Sequence, residues 1–527
     1  MVLLWGSNAR ETHPIFFHHV LKGIRRGARL YAIDPRHTPT AAWAEGWLPL
    51  QVGTDIPLAN GVAHVILRDG LENRAFIERA TSGFAAYRDH ILANYPLDRV
   101  ARETGVPATT IEAMARDYAR ADRAMIAWTL GITEHHNAVD NVLSLINLAL
   151  LTGHVGRWGS GLNPLRGQNN VQGGGDMGAL PHKLVGFQDV EDPVARAKFE
   201  KLWGAPIPPK AGWHLTDMFR AMERGELTSL YVIGENPAQS EADGKHATHL
   251  LEHLEHLVVQ DIFLTKTAEL ADVVLPATAS FAEAEGTVTN SERRVQRVRR
   301  AVAPPPGARD DLAILADLAR RLGKDLGDPT AEELWDELRS VSPMHGGMSY
   351  ARLEASGGIQ WPCPDESSDG APFLHGRFWS DEVGPRAPFS ITEHSPPVDR
   401  LDDEFPLRLT TGRRLESFNT GVQSASYASP LRRGEALEMS FEDAARLGLV
   451  EGQQVRVVSR RGSVEAPLHL DRALPRGLVF MTFHFPDEVD TNVLTIDATD
   501  PKSGTAEFKA AAVRVEPVAV AQPSAAE

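Results

Sequence analysis

The densest chemistry in the chain lies in LRGQNNVQGGGDMGALP, residues 165–181. Arg166, Gln168, Asn169, Asn170, Gln172 and Asp176 crowd donors and acceptors around Gly173, Gly174 and Gly175, with few apolar side chains between them. Such a segment cannot pack a core by itself, and its glycines let backbone amides come close to a bound molecule. It reads as a loop that holds a heteroatom-rich ligand, the other reading being a mobile surface loop.

Two further polar turns echo each other. VLLW runs into GSNARETHP, and LTSLYVI runs into GENPAQSEAD; each is an apolar strand, then Gly-x-Asn, then a polar loop with proline. After the first come a helix-spaced segment, IFFHHVLKGIRRG, and a second strand, ARLYAID, ending at Asp34-Pro35-Arg36. Strand, polar loop, helix, strand is the order of a right-handed parallel unit, which binds ligands beyond the carboxyl ends of its strands. Gly6, Ser7 and Asn8 are thus candidate nucleotide contacts, with Asp34 placed to accept from a ribose or a base edge. The full Gly-x-Gly-x-x-Gly fingerprint is missing, so a tight turn with a helix cap stands beside that reading.

These loops need elements to hold them. Residues 1–168 read as a first α/β lobe, in which AMIAWTLGI is a strand and AVDNVLSLINLALLTGHVG is a helix ending in glycine. Residues 169–400 read as a second lobe, with the Pro- and Gly-rich stretch 365–400 as a linker or long surface loop. The texture then changes to short strands at close spacing, PLRLTTGR, ALEMS, QQVRVVSRRGSVEAPLHL, GLVFMTFHF and FKAAAVRVEP. Residues 401–520 therefore read as a small β-barrel, with 521–527 as a disordered tail.

Composition excludes several classes. With 54 Lys plus Arg against 70 Asp plus Glu, the net charge is −16 and no basic stripe appears, which argues against a duplex nucleic-acid binder. No window approaches the apolar run of a membrane span, and Met1 is not followed by a secretory signal, so the expected location is cytoplasmic. The one cysteine, Cys363, makes neither an intramolecular disulfide nor an iron–sulfur ligand set, and reads as structural.

RGQNNVQGGGDMGALP, with GENPAQSEAD, QDIFLTKTAELADVVLPA, EGTVTNSERRVQR, DPR and TAEFKAAAVRVEP, resembles the molybdopterin oxidoreductase family. Within it, the match is to the catalytic (alpha) subunit of molybdenum-dependent formate dehydrogenases, from residue 3 to about residue 516. The resemblance implies two Rossmann-like dinucleotide-binding lobes plus a C-terminal β-barrel, with a pair of molybdopterin guanine dinucleotides holding one molybdenum between the lobes. It implies that Gly6, Asn8, Asp34 and Arg36 contact one dinucleotide, and that Gly234, Glu235, Asn236, Gln260, Asp261 and Thr265 contact the other. Thr411, Gly412, Arg413, His484, Asn492, Phe508 and Lys509 would be the barrel's contribution to the pterin and phosphate groups. Without the resemblance, Arg413 and Lys509 read as solvated surface charges.

The resemblance also implies that Arg166 and Gln168 are the catalytic pair, the guanidinium fork suiting the carboxylate of formate. His135 and His136 fall near that site; a helix-start or hydrogen-bonding role is preferred to metal ligation. The family carries an N-terminal segment with a [4Fe-4S] cysteine cluster and a cysteine or selenocysteine on molybdenum. This chain has no such ligands, so it reads as a family chain beginning one element late, completed upstream or by a partner chain. An iron–sulfur or NAD-linked electron-transfer subunit is the expected partner. The alternatives are another substrate of the family, as in nitrate reductases, and a non-catalytic cofactor-binding or truncated chain.

Overall fold

Alternate residues of the strand Val2–Trp5 face opposite sides of a sheet, and both sides are buried. Leu3 and Trp5 join the main core with Ile33, Leu48 and Ile126. Leu4 packs instead with Leu30, Phe17 and Val20, the last two from the helix Pro14–Ile24. Leu3 and Leu4 are 0% and 1% exposed, so each contributes about 1.5–3 kcal/mol by leaving water. A strand apolar on both faces belongs in the middle of a parallel sheet with layers above and below it.

The computed structural model describes residues 1–415, 417, 419–420 and 434–518. They divide into two compact units, one of Met1–Leu165, Pro237–Ala247 and the described residues from Leu374 onward, the other of Arg166–Asn236 and Thr248–Phe373. The chain is mixed α/β. The expected tail, 521–527, lies outside the described residues.

In the first unit, five parallel strands run in the order Gly46–Leu48, Leu30–Ile33, Val2–Trp5, Met125–Trp128, Gly161–Pro164. The chain builds outward from Val2–Trp5 to one side, then crosses and builds outward to the other. The carboxyl end of Val2–Trp5, where Gly6 follows, is therefore the point at which strand order reverses, the usual ligand crevice of an open parallel sheet. The same unit holds a closed six-stranded barrel, ordered Leu407–Gly412, Leu478–Thr482, Leu437–Met439, Ser463–Leu470, Gln454–Val458, Ala511–Pro517. Its interior is filled by Leu409, Leu437, Met439, Val455, Val457, Val479 and Val513. Closure leaves no unpaired strand edge.

The second unit has a parallel sheet, Val273–Pro276, His256–Asp261, Ser229–Ile233, and an antiparallel one, Gly286–Thr289, Arg294–Val298, Ile359–Gln360. Cys363 is fully buried in its core beside Val295, Trp335 and Met348. The helix Ala331–Val341 starts with a reciprocal cap between Thr330 and Glu333.

Two local expectations are corrected. AMIAWTLGI is a strand only over Met125–Trp128, and Leu130–Thr133 is a helical turn. The reason is a close approach of backbones: Gly131 N donates to Gly6 O at 3.2 Å, Thr129 Oγ1 donates to the same oxygen at 2.7 Å, and a Cβ on Gly6 would lie 2.8 Å from the Gly131 carbonyl carbon. The second correction is the glycine-rich loop, which is helical over Val171–Asp176. Asn170 enters it in the left-handed region at φ 62°, its Oδ1 accepting from Thr289 N at 2.9 Å. Tertiary anchoring overrides the weak helix propensity of three glycines.

Candidate functional site

The turn after Val2–Trp5 is fixed by Gly6 and by the side chain of Asn8. Gly6 takes φ 57°, a conformation that favours glycine. Asn8 is occupied by the scaffold, its Nδ2 donating to Glu11 Oε2 at 2.7 Å and its Oδ1 accepting from Thr40 Oγ1 at 2.9 Å. Ser7 Oγ, between them, is buried with no hydrogen-bond partner among the described residues. On the neighbouring strand, Asp34 Oδ1 accepts from Arg36 N at 2.9 Å. Burial raises the Asp34 carboxyl from its ordinary pKa, and the charges of Arg36 and Lys509 oppose that rise.

Barrel residues gather around these groups. The Arg36 guanidinium carbon sits 3.5 Å from the centroid of the Phe480 ring. A Cβ on Gly412 would lie 2.8 Å from Phe480, so the absence of a side chain there makes room for the stack. Arg36 and Arg414 share the Glu438 carboxylate. Lys509 Nζ lies 2.8 Å from Glu134 Oε2 and donates to Thr411 O at 2.9 Å. Arg413 reaches both Glu134 oxygens at 3.4 Å and lies over the Phe483 ring. Thr411 Oγ1 donates to Phe508 O at 2.8 Å, and Phe483 meets Phe508 edge to face.

Lys509 and Arg413 are therefore not surface charges. Lys509 is 6% exposed, and burial, aided by Arg413 and Arg36, brings its pKa down to about 8 against the pull of Glu134. Burial would raise Glu134, yet Arg413 and Lys509 outweigh it and hold the carboxyl below its ordinary range. The first unit thus brings Gly6, Asp34, Arg36, Thr411, Gly412, Arg413, Phe508 and Lys509 into one polar neighbourhood rich in cations.

His484 and Asn492 do scaffold work. His484 Nε2 accepts from Arg414 N and Nδ1 donates to Asn419 O, each at 2.8 Å, which fixes a neutral tautomer. Asn492 Nδ2 donates to Gln239 O at 3.0 Å. His136 Nδ1 lies 3.0 Å from Glu507 Oε1 and His135 Nδ1 lies 3.6 Å from the same oxygen. Burial would raise Glu507, but the two nearby imidazoles, His136 by a hydrogen bond, bring it down to about 2.

In the second unit, Arg166 and Gln168 are exposed. Arg166 Nε donates to Gln172 Oε1 at 3.2 Å, and Gln172 Nε2 donates to Asp176 Oδ1 at 2.8 Å. Trp361 Nε1 reaches the other Asp176 oxygen at 2.8 Å, while burial raises that carboxyl's pKa. Gly234 and Glu235 are exposed beyond the strand Ser229–Ile233, and Gly234 takes φ 63° with open space where a Cβ would stand. Asn236 Oδ1 accepts from Thr267 N and Oγ1 at 3.1 and 2.8 Å. Asp261 Oδ1 accepts from Phe263 N at 3.0 Å, and Thr265 caps the helix Lys266–Glu269. Gln260 is buried and bonds Tyr231 and Asp311.

Sequence reasoning missed Glu134, Glu438 and Arg414. Arg414 had a visible signal, being adjacent to Arg413; the two glutamates are linked to their cations only by the fold.

A phosphate-bearing dinucleotide suits the residues of the first unit. Four cations and a buried hydroxyl without a partner among the described residues form a donor set matched to a pyrophosphate. Asp34 offers an acceptor of the kind a guanine edge requires. In the second unit, Glu235 and Asp261 offer similar acceptors.

The chain matches the family model described as Molybdopterin oxidoreductase over residues 1–321, and that of the Molydopterin dinucleotide binding domain over residues 407–512. It is 42% identical to F420-dependent formate dehydrogenase 2 subunit alpha of Methanococcus maripaludis, over 98% of this chain and 76% of that one. It is 38% identical to formate dehydrogenase H of Escherichia coli, over 98% of this chain and 73% of that protein. The assimilatory nitrate reductase catalytic subunit of Bacillus subtilis is 33% identical over 98% of this chain and 74% of its own length. Acetylene hydratase from Pelobacter acetylenicus shares the fold, with a TM-score of 0.74 at 20% identity, over 98% of this chain and 78% of that one. With the family model covering residues 1–321 and relatives this similar over nearly the whole chain, the protein belongs to the molybdopterin oxidoreductase family.

Proposed function

We propose that this protein oxidises formate to carbon dioxide, with a pair of molybdopterin guanine dinucleotides carried by two Rossmann-like lobes, residues 1–168 and 169–400, and by the barrel, 401–520. The observation that carries the proposal is the cation set of buried Lys509 and half-buried Arg36, Arg413 and Arg414 beside the turn at Gly6. When bound, the molybdenum–pterin group supplies the two-electron acceptor; formate leaves as carbon dioxide, one proton and two electrons.

The chain's own residues bind, orient and balance charge. Arg413, Lys509 and Arg36 hold the phosphates, with Glu134 and Glu438 fixing those cations in place. Asp34 in one lobe, and Glu235, Asn236 and Asp261 in the other, take the guanine and ribose edges. Arg166 binds the formate carboxylate through its fork of donors, and Gln168 lines the same pocket. The electrons pass to an acceptor subunit. Kinship with formate dehydrogenase alpha subunits supports the substrate; the nitrate reductase relative supports a second reading in which an oxyanion takes its place.

The test is a dye-reduction assay on the protein purified from its source cells, with formate and, in parallel, with reduced dye and nitrate. Formate-dependent reduction should appear, and Arg166→Lys should lower kcat/KM by about tenfold or more, since Lys cannot make a bidentate contact. Nitrate turnover without formate turnover would replace the formate reading.

A further inference from the structure

HATHLLEHLEH, residues 246–256, carries four histidines and two glutamates that no step above uses. His249, Glu252 and His253 stand at i, i+3 and i+4 where the helix Gly244–Glu252 ends, a spacing that puts all three on one face. One ligand-capable atom from each lies within 4.8 Å of the other two, and all three side chains are exposed. The two imidazole centroids are 4.1 Å apart, inclined at 55°.

A second observation concerns the tautomer. His253 Nδ1 lies 2.7 Å from the carbonyl oxygen of His249. A carbonyl only accepts, so Nδ1 carries the proton and Nε2 keeps its lone pair. Metal-binding histidines are oriented in this way, one ring nitrogen tied to a carbonyl or carboxylate and the other left to coordinate. His256 is turned elsewhere, its Nδ1 being 3.6 Å from Asp272.

We infer that His249, Glu252 and His253 form a binding site for a first-row divalent cation of the zinc class, with water completing the coordination. Two imidazoles and a carboxylate suit zinc, nickel or copper better than magnesium or calcium, which favour oxygen-only sets. The helix end presents the negative pole of its dipole to the same spot. A tetrahedral ion with ligands about 2.0–2.1 Å away needs donors about 3.3 Å apart. Exposed side chains reach that spacing by rotamer adjustment. Three protein ligands leave a position open, so the ion exchanges with solvent and clasps the last helical turn by bridging i to i+4.

The experiment is a calorimetric titration of the full chain with zinc sulfate, comparing wild type, the double variant His249→Ala with His253→Ala, and Glu252→Gln. Amide hydrogen exchange is read over residues 247–256. Wild type should bind one equivalent, the double variant should bind it about a hundredfold more weakly, and Glu252→Gln about tenfold more weakly. Zinc should slow exchange at the helix end in wild type and not in the double variant. An unchanged titration in the double variant, or zinc binding without local protection, would overturn the site. If the double variant failed to fold, Glu252→Gln and the wild-type exchange pattern would decide the matter.

Discussion

Lys509 and Arg166 are both cations assigned to substrate or cofactor, yet they sit in opposite settings. Lys509 is buried against Glu134 and Thr411, with its pKa brought down to about 8. Arg166 is exposed and bonded to the neutral amide of Gln172. The contrast extends across their units. In the first, Lys509 and Arg413 face Glu134, and Arg36 and Arg414 face Glu438, so these charges have opposite charges fixed beside them. In the second, the loops are pinned mainly by neutral contacts, Asn170 to Thr289, Asn236 to Thr267, with Trp361 tying down the one buried carboxylate, Asp176. Buried charges couple ligand binding to stability, because removing a partner strands the other in a medium that solvates it poorly. Exposed groups carry no such coupling, so their substitution reads out function alone.

The sharpest way to break this comparison is to delete one anion. Glu134→Ala should destabilise the first unit by about 3–5 kcal/mol by leaving Lys509 and Arg413 uncompensated, whereas Arg166→Ala should stay within about 0.5 kcal/mol. Denaturant-dependent hydrogen exchange at the barrel strands Leu407–Gly412 and Ala511–Pro517 gives the first value, and at Val171–Asp176 the second. Equal losses would mean that burial does not separate the two cations.

A smaller effect separates the two Gly-x-Asn turns. Both glycines have positive φ, but a Cβ at Gly6 meets the Gly131 backbone whereas one at Gly234 meets nothing within 4 Å. Gly6→Ala should therefore cost about 3 kcal/mol and Gly234→Ala about 1 kcal/mol, measured as shifts in the denaturation midpoint. Equal costs would show that backbone conformation alone, and not the contact with Gly131, restricts the first turn.

The sequence and the fold agree where information is local. VLLW-GSN and LTSLYVI-GEN are legible as strand and turn because the apolar run and the Gly-x-Asn are contiguous, and the barrel is legible because short strands and turns recur at close spacing. What was hidden is long-range. Glu134 meets Lys509 and Arg413 only after the barrel closes, so of two cations that composition assigns to the surface one is buried and the other half-buried. Gly131 looks like part of a strand until Gly6 is packed against it. The glycine run at 173–175 has the composition of a loop, and it becomes helical because Asn170 is anchored to Thr289 N and because Trp361 holds Asp176. Asn8, His484 and Gln260 add a further long-range layer: their side chains bond other parts of the fold, and a motif reports their position without telling what they bond.

The central claim is that the cations Arg36, Arg413, Arg414 and Lys509 of the first unit hold a guanine dinucleotide. The most direct test is to quantify guanine nucleotide released by acid hydrolysis from the protein purified from its source cells, beside an Arg36→Ala variant. The account predicts a pair of guanine nucleotides per chain in wild type and a clear loss in Arg36→Ala. Wild-type protein that is folded and releases none would contradict it.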